Sequence, residues 1–195
     1  MRTTFHGSGE PRPTGGAGRL ARVAASAIRL WAILGGLGAT ALALMTAASA
    51  VSNLVFAAPF AADHELIKHV IAVVIFMFLP YCQLAGANVT VDIFTEGMGA
   101  RTKALMAAFA ALIAIAFAAV LSRQMYLGLL DYRQYVEITP VLKLPLWTAF
   151  PPILVSLALL VVAAVLTLVD ALRAMRGLPT WFGEAGEAAA AEDGV

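Results

Sequence analysis

Asp92 and Glu96 stand four residues apart, a spacing that on a helix brings two carboxylates to one face for metal binding or acid–base work. Both fall in a polar connection with Arg101 and Lys103, where carboxylates are ordinarily solvated. Three histidines invite a haem or metal reading. His6 lies in a polar tail, and His64 and His69 sit at one edge of an apolar run, whereas haem between helices takes ligands from within them. Both read as interfacial polar residues. Cys82, the sole thiol, excludes an internal disulfide, a Cys-pair relay and a Cys-rich metal site, and its apolar surroundings suit a small packing residue. No nucleophile and base converge, so the sequence is read as no enzyme, with no catalytic, cofactor-binding or metal-binding residue.

The chain has 195 residues, 61% hydrophobic and 13% charged, with a mean hydropathy of +0.86. Soluble domains carry roughly 25% charge, and this chain cannot cover a water-facing surface, so it is expected to reside in a lipid bilayer. A net charge of +1, with no basic block interleaved with aromatics, gives no indication of nucleic-acid binding.

Hydropathy divides the chain into four spans, near 31–55, 67–87, 102–124 and 145–169. Residues 1–18, rich in Gly, Pro, Ser, Thr and Arg, and the acidic, alanine-rich 177–195 read as disordered tails around a membrane domain at 19–176. Arg19, Arg22, Ser26 and Arg29 share one side of a helical wheel. They read either as a short basic helix at the membrane surface before span one or as that span's charged flank. Ala48-Ser49-Ala50 resembles a signal-peptide cleavage site, but the apolar run continues to Phe60, too long for such a peptide.

Pro80 predicts a kink in span two. Pro145, Trp147, Phe150, Pro151 and Pro152 open span four. Pro145 suits a first helical position, but Pro151 and Pro152 cannot donate to carbonyls nearly two turns inside, so the helix is expected to kink or restart, its straight body beginning near Ile153. In span one, Thr40, Thr46, Ser49, Ser52 and Asn53 could bond to a neighbouring helix. Gly35, Ala39, Ala43 and Ala47 form a small-residue row there that allows close helix approach, and it reads as a partner surface, as packing within this chain or, with 40 alanines, as an accident of composition.

Four spans put both termini on one side. With the termini in the cytoplasm, nine Lys/Arg lie inside and four (Lys68, Arg123, Arg133, Lys143) outside, which the positive-inside rule favours. Ion or acid transporters carry ionisable residues inside their spans or paired broken helices from internal repeats. The central parts of these spans hold no ionisable residue and no repeat is evident, so the chain alone is not expected to form a translocation path.

Two strings carry a resemblance: residues 79–94, LPYCQLAGANVTVDIF, after span two, and residues 137–152, EITPVLKLPLWTAFPP, opening span four. Together they resemble the small, DctQ-like permease subunit of tripartite ATP-independent periplasmic (TRAP) transporters, over roughly residues 25–175. The likeness rests on the four spans, a hydrophobic-x-Val-Asp turn ending at Asp92, and a Pro-x-Trp approach to span four at Pro145 and Trp147. Members often place a basic residue and a His before that turn. This chain has Gly86, Ala87 and Asn88, and the Asn88 amide could cap the following segment instead.

The resemblance implies an all-α inner-membrane subunit of a bacterium, scaffolding a large ion-coupled permease subunit that receives an organic acid from a periplasmic solute-binding protein. It marks Asn88, Asp92, Pro145, Trp147 and Pro151 as possible motif or interface positions. The competing reading is a four-span membrane anchor of a redox enzyme complex.

Overall fold

The computed structural model describes residues 16–57, 63–85 and 100–178. Both expected disordered tails fall largely or wholly outside these residues, as do Asn88, Asp92 and Glu96. The architecture is all-α: α1 (Gly16–Phe56), α2 (Asp63–Leu84), α3 (Ala100–Gln134), a 3-10 turn (Leu146–Ala149) and α4 (Phe150–Met175). Among the described residues four helices are long and apolar enough to cross a membrane. With ~20 residues needed to cross ~30 Å of hydrocarbon, α1 at 41 residues and α3 at 35 exceed one crossing.

The expected basic segment is helical and runs into span one without a break. Arg19, Arg22 and Arg29 occupy the first turns of the continuous α1, exposed beside the similarly exposed Leu20 and Val23. Helix α2 begins at Asp63 and runs through a buried Pro80 to Leu84. Since proline has no N–H, the Phe76 carbonyl loses its usual helical donor there.

Helix α4 is the centre of the assembly. It packs on α3 along one side and on α2 along another, while α1 lies chiefly on α2 and touches α4 more lightly. Neither α1 nor α2 forms an extended seam with α3 among the described residues, so the four helices make an open row, α1–α2–α4–α3, in place of a closed bundle.

Each seam follows from residue size. On α3, Ala104, Ala111 and Ala118 are buried at seven-residue intervals, while Phe109, Leu112, Ile113 and Phe117 are exposed. Alanine at a two-turn repeat lets α3 lie close to α4, whose Ile153, Leu157 and Leu160 form the buried cluster with Ala118. On α1, a β-carbon at Gly35 would lie 2.9 Å from Met77 Cβ, and one at Gly38 would lie 3.1 Å from Val74 Cγ2. As one residue number rises by three its partner falls by three, the register of an antiparallel pair.

The small-residue row does not serve as a whole as a seam within this chain. Gly35 is buried against α2, but Ala43 and Ala47 are exposed, because the seam turns through Ile28, Ala32 and Gly35 and does not follow the i+4 row. The hydroxyls of Thr40 and Thr46 likewise reach no neighbouring helix and donate to Gly36 O and Leu42 O of their own. Cys82 is exposed, contrary to its expected packing role. Across the row, the Trp31 indole N–H donates to Ser156 Oγ at 2.9 Å, and Ser156 donates to Pro152 O at 2.9 Å.

Candidate functional site

The most ordered polar constellation joins α2 to the connection between α3 and α4. Glu65 and His69 lie four residues apart in the first turns of α2 and so share a face. Glu65 accepts the backbone N–H of Val141 on Oε1 and of Leu142 on Oε2, each at 2.9 Å. Both oxygens are used by the same turn, a two-point contact of the charge-assisted kind.

That turn is closed from within by Thr139, which is 8% exposed. Its N–H donates to Leu144 O at 3.0 Å, its carbonyl accepts from Lys143 N–H at 3.1 Å, and its hydroxyl oxygen accepts from Leu144 N–H at 3.0 Å. Lys143 takes a left-handed φ of 50°, a conformation that costs a non-glycine residue and persists because the bonds on either side hold it. An isolated bridge between Ile138 and Pro145, with Leu146 N–H donating to Glu137 O at 3.0 Å, ties the connection's two limbs together.

His69 fastens the next segment. Thr148 Oγ1 lies 2.7 Å from Pro145 O, which accepts from it, and 2.9 Å from His69 Nε2. A hydroxyl has one hydrogen, so when it goes to Pro145 O the His69 ring is the donor from Nε2, and the direction of this bond follows the His69 tautomer. The reading of His69 as a merely interfacial residue missed this bond. The signal was its i, i+4 relation to Glu65, which has meaning only once the loop's return path is known.

The approach to span four restarts, as its prolines required, but earlier than expected. Pro145 is extended, with φ −66° and ψ 125°, and caps the 3-10 turn. Phe150 N–H donates to Trp147 O, supplying the partner that this carbonyl needed. Pro151 and Pro152 then sit in the first turn of α4, where a missing N–H costs nothing. The regular body consequently begins at Phe150 and not near Ile153, since the chain bends before the proline pair.

Aromatic side chains support the bend. The Arg133 guanidinium lies 5.9 Å from the Trp147 ring centroid, and the Tyr132 and Phe150 rings are 5.3 Å apart and tilted by 38°. Gly128 gives Phe150 its room: a β-carbon there would lie 3.1 Å from Phe150 Cε1. Of the residues singled out from the sequence, the structure brings Pro145, Trp147 and Pro151 together here, while Asn88 and Asp92 lie outside the described residues. Among the described residues no group of three or more His, Cys, Asp or Glu is placed to hold a metal. In this arrangement Glu65 and Thr139 hold backbone, whereas His69 meets the Thr148 hydroxyl and Arg133 lies over the Trp147 ring.

The family described as tripartite ATP-independent periplasmic transporters, DctQ component, matches residues 42–174, which include this whole constellation. No curated protein and no solved structure matches the chain.

Proposed function

The chain belongs to the DctQ family of tripartite ATP-independent periplasmic transporter components, the small membrane subunits of these systems, and from that premise we propose that it scaffolds the large, ion-coupled permease subunit. The large subunit moves an organic acid that a periplasmic solute-binding protein delivers. The observation that carries this reading is an open row of apolar helices with ordered bonding at one end and no ionisable group in the middle of its spans. Such a row exposes long apolar faces that lipid or another subunit's helices can cover. The redox-anchor alternative gains nothing from the family match.

We place both termini in the cytoplasm of an inner-membrane protein, with the Glu65 end of the row in the periplasm. Reporter fusions after residue 176 are expected to be active on the cytoplasmic side, and activity confined to the periplasm overturns this orientation. Affinity purification of the tagged chain in mild detergent tests the scaffold itself. It is expected to bring down one large multi-span subunit, and recovery of the chain alone from membranes that contain that subunit counts against the reading.

A third expectation concerns Trp147. Alanine there removes the ring beneath Arg133 and the aromatic anchor of the bend. The complex is expected to assemble and uptake to be lost. Disappearance of the protein from the membrane would instead show that Trp147 serves only the packing of its own chain.

A further inference from the structure

The first turns of α1 carry an exposed surface that the helices around it leave incomplete. At about 100° per residue Ala21, Ile28 and Ala32 share one side and are buried, whereas Arg19, Arg22 and Arg29 form an exposed stripe on the other half of the helix. Leu20 and Val23, 73% and 68% exposed, make an apolar stripe beside it. The first turn of α1 holds no acidic residue. Among the described residues Arg22 meets only the Gly18 carbonyl, at 3.4 Å, and no carboxylate pairs with Arg19 or Arg29. These turns precede the uncharged stretch that begins at Leu30, so their charges stand outside the hydrocarbon.

The chain itself holds the complement. Residues 179–195 follow α4, lie outside the described residues, and contain Glu184, Glu187, Glu192 and Asp193, no Lys or Arg, and Trp181 and Phe182 ahead of the acids. Such a composition provides no core of its own, so the segment gains order from a surface it meets. Four spans put it on the same side of the bilayer as the start of α1, whichever way the chain is inserted. Helices α1 and α4 run antiparallel, and equal steps from the Trp31–Ser156 bond bring Gly18 level with Val169, near the last turns of α4. Packed helix axes stand about 8–10 Å apart, and an extended chain covers ~3.3 Å per residue. The stretch from Leu178 to Glu184 therefore reaches about 20 Å, enough to cross to α1 and return along it to Arg19. We propose that the acidic segment 179–195 docks on the first turns of α1, Glu184 and Glu187 meeting Arg19 and Arg22 and the aromatic pair lying on Leu20 and Val23. It straps the last helix to the first, which otherwise touch only lightly. Anionic lipid headgroups are the rival occupant. The tethered segment meets α1 at an effective concentration on the order of millimolar, and its acids are repelled by the same anionic surface that attracts the arginines.

The test uses the full chain in phosphatidylcholine nanodiscs, with Cys82→Ser and with spin labels on Ala27→Cys and Ala189→Cys. At low salt the two labels are expected to show one defined distance. That distance should give way to a broad distribution at about 1 M salt, where the Debye length falls to about 3 Å. The same loss is expected at low salt in Glu184→Gln with Glu187→Gln, and in Arg19→Gln with Arg22→Gln. Adding phosphatidylglycerol to the wild-type nanodiscs is expected to leave the defined distance in place.

A broad distribution in the wild type at low salt overturns the proposal. So does a defined distance that survives high salt or either pair of substitutions, since charge would then not hold the segment. Loss of the distance on adding phosphatidylglycerol gives the arginines to the lipid surface and overturns it as well. If Arg19→Gln with Arg22→Gln fails to insert, the Glu184→Gln and Glu187→Gln pair decides on the same criterion, because it leaves every described helix unchanged.

Discussion

Proteoliposomes holding this chain alone are expected to accumulate no solute under any ion gradient, and deletion of its gene is expected to abolish uptake by the assembled system. A carboxylate at the bilayer centre costs about 3 kcal/mol even on the most permissive insertion scales, so an acid crossing here needs donors along its way. The sequence supplies hydroxyls and no charge in the middle of its spans, and the structure shows those hydroxyls already committed. Thr40, Thr46, Ser122 and Thr167 each donate to the carbonyl one turn earlier in their own helix. Ser156 donates to Pro152 O and accepts the Trp31 indole N–H, so that pair also faces inward on itself. A hydroxyl that has given its hydrogen to backbone offers an anion only lone pairs. Counterflow or ion-driven uptake by the isolated chain would sink the scaffold reading, and normal uptake after gene deletion would remove its necessity.

The spans were legible in the sequence because apolar length is a one-dimensional property, read without knowing any neighbour. The restart before α4 was legible for a related reason, since a proline's missing N–H constrains the chain wherever the helix packs. Its position was misjudged because Pro151 and Pro152 are disruptive inside a helix and harmless in its first turn, and hydropathy does not say where that turn begins. The Glu65 and His69 contacts were invisible for a different reason. Their partners are backbone groups 76 and 77 residues away for Glu65 and the Thr148 hydroxyl 79 residues away for His69, and a backbone N–H carries no sequence signature. Alanine concealed the α3 seam in the same way. With alanines throughout the spans, Ala104, Ala111 and Ala118 could not be told from their neighbours until burial separated them.

Replacing Gly35 with valine is expected to force α1 away from α2, while the same change at Gly36 leaves the fold intact. The two positions are adjacent in one helix, so helix propensity changes equally at both and slightly favours valine over glycine. Their surroundings differ. A β-carbon at Gly35 lies 2.9 Å from Met77 Cβ, closer than two carbons can sit, whereas one at Gly36 meets nothing within 4 Å. Met77 cannot yield by changing rotamer, because Cβ is fixed to its backbone, so the strain passes directly to the helix axes. Overpacking of this kind costs about 1–3 kcal/mol, and a β-branched side chain with few rotamers in a helix leaves little room to reduce it. Gly38→Val should fall between the two, since its clash at 3.1 Å is with Val74 Cγ2, an atom that a side-chain rotation can move. The loss extends beyond one seam: α1 reaches α4 only lightly, chiefly as the Trp31–Ser156 bond, so an α1 displaced from α2 has no second extensive contact to retain it. Thermal denaturation of the purified subunit should show a lowered midpoint for Gly35→Val, a smaller fall for Gly38→Val and none for Gly36→Val. Equal midpoints for Gly35→Val and Gly36→Val would mean that α1 does not rest on α2 at this register.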